Sequence, residues 1–117
     1  MNNENYLVPF ELISIAGNSR TLAIQASKEA SEMRFDKAEN LLKEAEEQLI
    51  EAHKLQTSLF TKEMNGDKNE INIILIHAMD HLSLAIEAID NTNQFIKLYK
   101  IISKFQNSKE REEEKEC

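Results

Sequence analysis

Three side chains in this sequence have the types and the spacing for chemistry: His77, Asp80 and His81. They lie in Ile-Asn-Ile-Ile-Leu-Ile-His77-Ala-Met-Asp80-His81-Leu82, an otherwise oily stretch. On a helix, residues four apart are about one turn apart, so the two imidazoles share a face. At about 100° per residue, Asp80 points about 60° to one side of His77 and His81 about 40° to the other. A carboxylate among apolar neighbours is costly unless something satisfies it. A neutral imidazole is a good nucleophile near physiological pH and a common metal ligand. The group therefore suits three tasks: holding a metal, moving a proton or carrying a phosphoryl group.

The rest of the chain must position these residues, and its composition points to helices. Two glycines and one proline in 117 residues leave little material for β-turns, while Leu, Ile, Ala, Glu and Lys favour helix. The length suits one domain with a modest core. A net charge of −7 argues against nonspecific binding to nucleic acid. The only cysteine, Cys117, is the last residue, so no internal disulfide is possible, which fits a reducing compartment. The N-terminal residues lack the pattern of a signal peptide. No apolar run approaches the roughly 20 residues of a membrane span.

Periodicity predicts three helices. The first runs from about Pro9, a good first-turn residue, to about Met33. Its stripe is Leu12, Ile15, Ala16, Ser19, Leu22, Ala23, Ala26, Ala30 and Met33. Gly17 is either a tolerated glycine or a point of close helix approach. The second starts near Asp36, whose spacing to Glu39 suits a capping box. In it Ala38, Ala45, Ala52 and Leu59 recur every seven residues, interleaved with Leu41, Leu42 and Leu49, as in antiparallel bundle packing. Asn65-Gly66-Asp67 makes a turn, Asp67 and Glu70 repeat the capping spacing, and the third helix runs from about Lys68 to Phe105.

Helix three is apolar nearly all round from Ile71 to Met79. Two partner helices cannot cover such a surface, so further cover is expected from other subunits. Ile73, Ile76, Asp80, Ser83 and Glu87 follow the 3-4-3-4 spacing of a coiled-coil seam. Self-association along it would bring copies of Asp80 together, and close carboxylates either take up protons or recruit a cation. The domain is taken as residues 1–106. Residues 107–117 form a charged tail without a hydrophobic pattern before Cys117, expected to be frayed or disordered.

Three blocks carry a resemblance. Ala16-Gly-Asn-Ser-Arg20, Glu51-Ala-His53-Lys-Leu-Gln56-Thr57 and His77-Ala-Met79-Asp80-His81-Leu82 resemble enzyme IIA of the lactose/cellobiose class, over about residues 7 to 104. That class supplies the cytoplasmic phosphocarrier of the bacterial sugar phosphotransferase system. The resemblance implies an all-α homotrimer of antiparallel three-helix protomers, a nine-helix bundle. It implies that His77 accepts a phosphoryl group from the phosphohistidine of HPr and passes it to a cysteine of a IIB protein or domain, for uptake of a β-linked disaccharide. It implies that Asp80 binds a divalent cation, usually magnesium (Mg2+), one per trimer on its axis. His81, one turn on, is expected to donate a hydrogen bond to the phosphoryl oxygens or to set the tautomer of His77. One departure stands out: the family block reads His-Ala-Gln-Asp-His, and Met79 here replaces the glutamine, removing an amide near the site.

Two other readings compete. His-x-x-Asp-His resembles an inverted zinc-hydrolase motif, with His77, Asp80 and His81 as ligands, but it carries the shorter acid and no third ligand on another segment. A non-catalytic helical adaptor explains the heptads but not the polar cluster. His53 and Gln56 are read as surface or helix-packing residues, and Arg20, which could approach the phosphoryl group, as a surface arginine. The identity of the sugar is not legible in the chain.

Overall fold

The computed structural model describes residues 4–66 and 73–116, which form α1 (Glu4–Ser31), α2 (Phe35–Met64) and α3 (Ile73–Glu116). No strand occurs among the described residues. α1 packs against both α2 and α3, which touch each other less. The stripe on α1 and the heptad on α2 are where the periodicity put them. Leu12, Ala16, Ser19, Ala23, Ala26 and Ala30 are buried on α1, and Ala38, Ala45, Ala52 and Leu59 on α2. The small alanine side chains let the helix axes approach closely. Larger residues fill the two ends of the interior. Leu12, Leu59 and Leu82 pack near the histidines, and Leu42, Ile89 and Ile96 pack at the other end.

Two buried hydroxyls tie the helices together. Ser19 Oγ donates to the Ala45 carbonyl at 2.7 Å, and Thr92 Oγ1 to the Ala23 carbonyl at 3.0 Å. Both groups would otherwise be costly to bury. Gly17 lies beside His81 and Ala23 beside Thr92, so residue numbers rise together along α1 and α3 and these helices run parallel.

Several boundaries differ from the sequence reading. α1 begins at Glu4, before Pro9, which lies buried inside it. Pro9 is the sixth residue of α1, beyond the four N-terminal N–H groups that lack an intrahelical partner, so it costs the helix one hydrogen bond. α1 ends at Ser31 rather than Met33 because Met33 adopts a left-handed conformation, φ 61°. The Arg34 N–H reaches the Glu29 carbonyl at 3.0 Å and the Met33 N–H the Ala30 carbonyl at 2.9 Å. These bonds make a Schellman cap with methionine in the place usually held by glycine. Met33→Gly should relieve the left-handed strain and stabilise the fold by about 1 kcal/mol. Thermal unfolding checks this; an unchanged or lower melting temperature would contradict it.

Asp36 is not a cap. α2 starts at Phe35, with Arg34 in the N-cap position and no side-chain capping bond. Arg34 instead pairs with Glu29 across the turn, joined by Lys37 at 3.4 Å, and the Arg34 hydrogen bond holds the Glu29 carboxyl below its usual range. At the far end Asn65 and Gly66 form the expected turn, with Gly66 at φ 91°. The expected Asp67–Glu70 cap, the start near Lys68, and Ile71 and Asn72 of the apolar run lie outside the described residues.

The charged tail beyond residue 106 is helical in the structure. α3 continues unbroken to Glu116, with no boundary near residue 106. Gln106 to Glu116 contains no glycine, proline or β-branched residue, and Lys109 and Glu113 stand at helical i,i+4 spacing. Tyr99 packs on the core, and Lys100 pairs with Glu39 and lies 5.9 Å over the Phe35 ring. Beyond these contacts α3 projects from the bundle, so the chain as a whole is 76 Å long.

Candidate functional site

The site is built on α3, about one turn into its described length. Ala78, Leu82 and Ala85 bury the inner face of this segment and fix its rotation against α1 and α2. That rotation puts His77 and Asp80 in the open and leaves His81 half-buried. His77 and His81 meet as the helical spacing predicts. Their Nε2 atoms are 3.0 Å apart, and the rings meet edge to face, with centroids 4.5 Å apart and planes at 88°.

His81 turns its other nitrogen inward. Nδ1 is buried without a hydrogen-bond partner and faces Gly17 of α1. A Cβ at position 17 would stand 4.0 Å from it, an ordinary van der Waals contact. Among the described residues no other atom outside α1's own backbone lies within 4 Å of that Cβ, so no close helix approach requires the glycine and a methyl group is not barred.

Asp80 does not share a buried site with the two histidines. Its side chain lies on the exposed face. Among the described residues, no three His, Cys, Asp or Glu side chains converge as a metal-ligand set. Within one protomer His77, Asp80 and His81 are therefore not the ligand group that a zinc hydrolase requires. One carboxylate alone is also too little to hold a magnesium ion, and the cation reading fits Asp80 only if copies of the chain bring several together.

Met79 faces away from the histidines, towards α2. The Gln56 amide Nε2 lies 3.8 Å from its sulfur, and His53 Nδ1 lies 3.4 Å from Gln56 Oε1. The replacement of glutamine by Met79 thus alters the α2–α3 contact rather than the polar group beside His77. Gln56, read as a packing residue, reaches α3 next to the site.

The outer surface of α3 carries a continuous stripe. Ile73 is 80% exposed and Ile76 54%, and Asp80 and Glu87 are also exposed. The seam expected from the heptad spacing ends at Glu87. In the structure it continues through Leu84, Asn91, Phe95, Leu98, Ile102 and Phe105, all exposed. Ile73, Leu84 and Phe95 are eleven residues apart, as are Asp80, Asn91 and Ile102. A repeat of eleven keeps a stripe nearly straight along a helix, where a strict heptad drifts around it. Beside the stripe, α1 and α3 enclose a groove of about 480 Å³. Arg20, Ile24 and Lys28 form one wall, and Leu84, Glu87 and Phe95 line the other. Among the described residues, no helix is long and apolar enough to cross a membrane.

Comparison with known proteins identifies the family and the fold. Residues 7–100 match the family of lactose/cellobiose-specific IIA subunits of the phosphotransferase system. The chain is 39% identical over 101 residues to the lactose-specific EIIA component of Streptococcus mutans, spanning 86% of this chain and 97% of that one. The crystal structure of the cellobiose-specific enzyme IIA of Bacillus anthracis superposes with a TM-score of 0.85 at 38% identity, covering 88% of this chain and 94% of the other. The chitobiose IIA of Escherichia coli, solved in complex with HPr, superposes with a TM-score of 0.74 at 28% identity, covering 87% and 99%.

Proposed function

We propose, given that the chain belongs to the lactose/cellobiose-specific IIA family of the sugar phosphotransferase system, that His77 is its phosphoryl carrier. The donor is the phosphohistidine of HPr and the acceptor a cysteine of the cognate IIB, in the cytoplasm, during uptake of a β-linked sugar. The observation that carries the reading is the pair of apposed Nε2 atoms at the exposed end of the α3 stripe.

The chemistry follows from that pair. Buried Nδ1 of His81 has no acceptor, so a proton there would be an orphaned donor. Placing the proton on His81 Nε2 makes it a donor to His77 Nε2, which then holds the free lone pair. As HPr docks, that lone pair attacks phosphorus, the new P–N bond forms, and the P–N bond to the HPr imidazole breaks. His81 turns its N–H to a phosphoryl oxygen. In the second step a IIB thiolate attacks the same phosphorus, a P–S bond forms, and His77 leaves as a neutral imidazole. Little covalent assistance is needed, because positioning and charge stabilisation carry such transfers. His77 stands in the open, where a partner's nucleophile can approach in line.

We read the working particle as a trimer associated along the α3 stripe. Its exposed isoleucines are the motive, since a lone protomer leaves them in water. In such a particle three Asp80 carboxylates would hold magnesium, which would neutralise their charge without acting in the transfer. Asp80→Leu should lose the ion, keep the assembly and still accept phosphate, because apolar replacement of buried charges is often neutral or stabilising. Complete loss of uptake by an intact assembly would instead place the carboxylate in the chemistry.

The direct test is incubation with phosphoenolpyruvate, HPr and the kinase that charges it, followed by peptide mapping under alkaline conditions that preserve phosphohistidine. Label on His77 is expected. Label on His81 or His53 alone, or none, would overturn the assignment.

A further inference from the structure

We infer that the α1–α3 groove receives the α3 stripe of a second copy of this chain, with Arg20 pairing to Glu87 of the neighbouring copy. The inference rests on the self-association proposed above and adds its geometry. The groove and the stripe share a wall, since Leu84, Glu87 and Phe95 belong to both. A helix laid along the stripe therefore also meets Arg20, Ile24 and Lys28 on α1.

The charges are complementary. The α1 wall presents two cations, Arg20 and Lys28, and the stripe presents Asp80 and Glu87. Among the described residues neither Arg20 nor Glu87 is in an ion pair within its own protomer. The heights also agree. In copies related by a rotation axis parallel to α3, equal residue numbers lie at equal heights. Counting from the Gly17–His81 contact puts Arg20 level with Leu84, and counting from Ala23–Thr92 puts it level with Ile89, so Glu87 lies between these levels and within about 4.5 Å along the axis. An arginine side chain spans that distance and can meet a carboxylate with two parallel hydrogen bonds. Ile24, Leu84 and Phe95, all more than a third exposed, supply the apolar surface around the pair. The contact joins two different surfaces, so it sets the direction in which copies follow one another around a closed ring.

Charge reversal in the full chain tests this. Arg20→Glu and Glu87→Arg should each raise the concentration at which the assembly dissociates at least tenfold, measured by sedimentation equilibrium at low salt. Circular dichroism should remain unchanged, as both side chains are exposed. The double reversal should return dissociation close to that of the unaltered chain. Mixing the two single variants should lower the dissociation concentration below that of either alone without reaching that of the unaltered chain, since in a ring of three the mixture makes opposite charges at two contacts between copies and leaves one like-charged. Rescue in the double variant with no gain at all on mixing would place the pair inside one chain and overturn the inference. Indifference of the assembly to both reversals would also overturn it, leaving the groove to another molecule while self-association stands. An unaltered chain that stays monomeric at all concentrations would remove the inference together with the trimer reading, while labelling of His77 would stand or fall separately.

Discussion

His77→Ala should fold, assemble and take up no phosphoryl group. The variant removes the exposed ring whose Nε2 faces His81, and none of the core contacts made by Ala78, Leu82 and Ala85. The loss should be total, because the side chain forms the bond rather than assisting it. His81→Ala should be slower yet still labelled, since loss of a hydrogen-bond donor typically costs about 10²–10³ in rate. The measurement is stoichiometry of alkali-stable, acid-labile phosphate after exposure to charged HPr. Full labelling of His77→Ala would sink the assignment. Equal and complete loss in both variants would mean that the two rings act as a single unit.

Ile76→Glu should convert the assembly into folded monomers. Ile76 is 54% exposed and lies one turn below Asp80 on the stripe, so the change costs the isolated protomer little. In a trimer it would add three carboxylates to the seam that already holds three copies of Asp80. An uncompensated buried charge costs about 3–5 kcal/mol, enough to move dissociation by several orders of magnitude. Light scattering at micromolar concentration distinguishes the outcomes. An intact trimer of the variant, or a monomeric parent chain, would show that the stripe is not the seam.

Much of the architecture was legible because small apolar residues recur without interruption. Ala38, Ala45 and Ala52 on α2, and Ala16, Ala23 and Ala30 on α1, mark the buried faces by period alone. The pairing of His77 with His81 was equally legible, as four residues on a helix leave little freedom. Helix ends were harder to read. Asp36 has the chemistry of a cap but falls inside α2, because the left-handed Met33 turns the chain one residue earlier. Nothing in a methionine advertises that conformation. The full length of the stripe was missed for a different reason. A heptad template leads from Asp80 to Ser83, whereas the helix carries the face on through Leu84 with an eleven-residue period. The orientation of Met79 towards Gln56 needed the position of α2, which no local pattern supplies.

The projecting end of α3 separates two regimes of stability within one helix. Between Ala78 and Ile96 its backbone is held by a packed interior, so amide hydrogens there should exchange only as the bundle opens. From Lys104 to Lys115 every side chain is exposed, and a free segment of this length is marginal as a helix in water. Those turns should open and close by themselves, with exchange rates set by local charge and salt. Glu116 also stands about 58 Å from His77 along the axis, at 1.5 Å per residue. Cys117, the only thiol, follows it directly. A dye or surface tether placed there would report on the chain's tumbling and assembly while leaving the His77 end of α3 untouched.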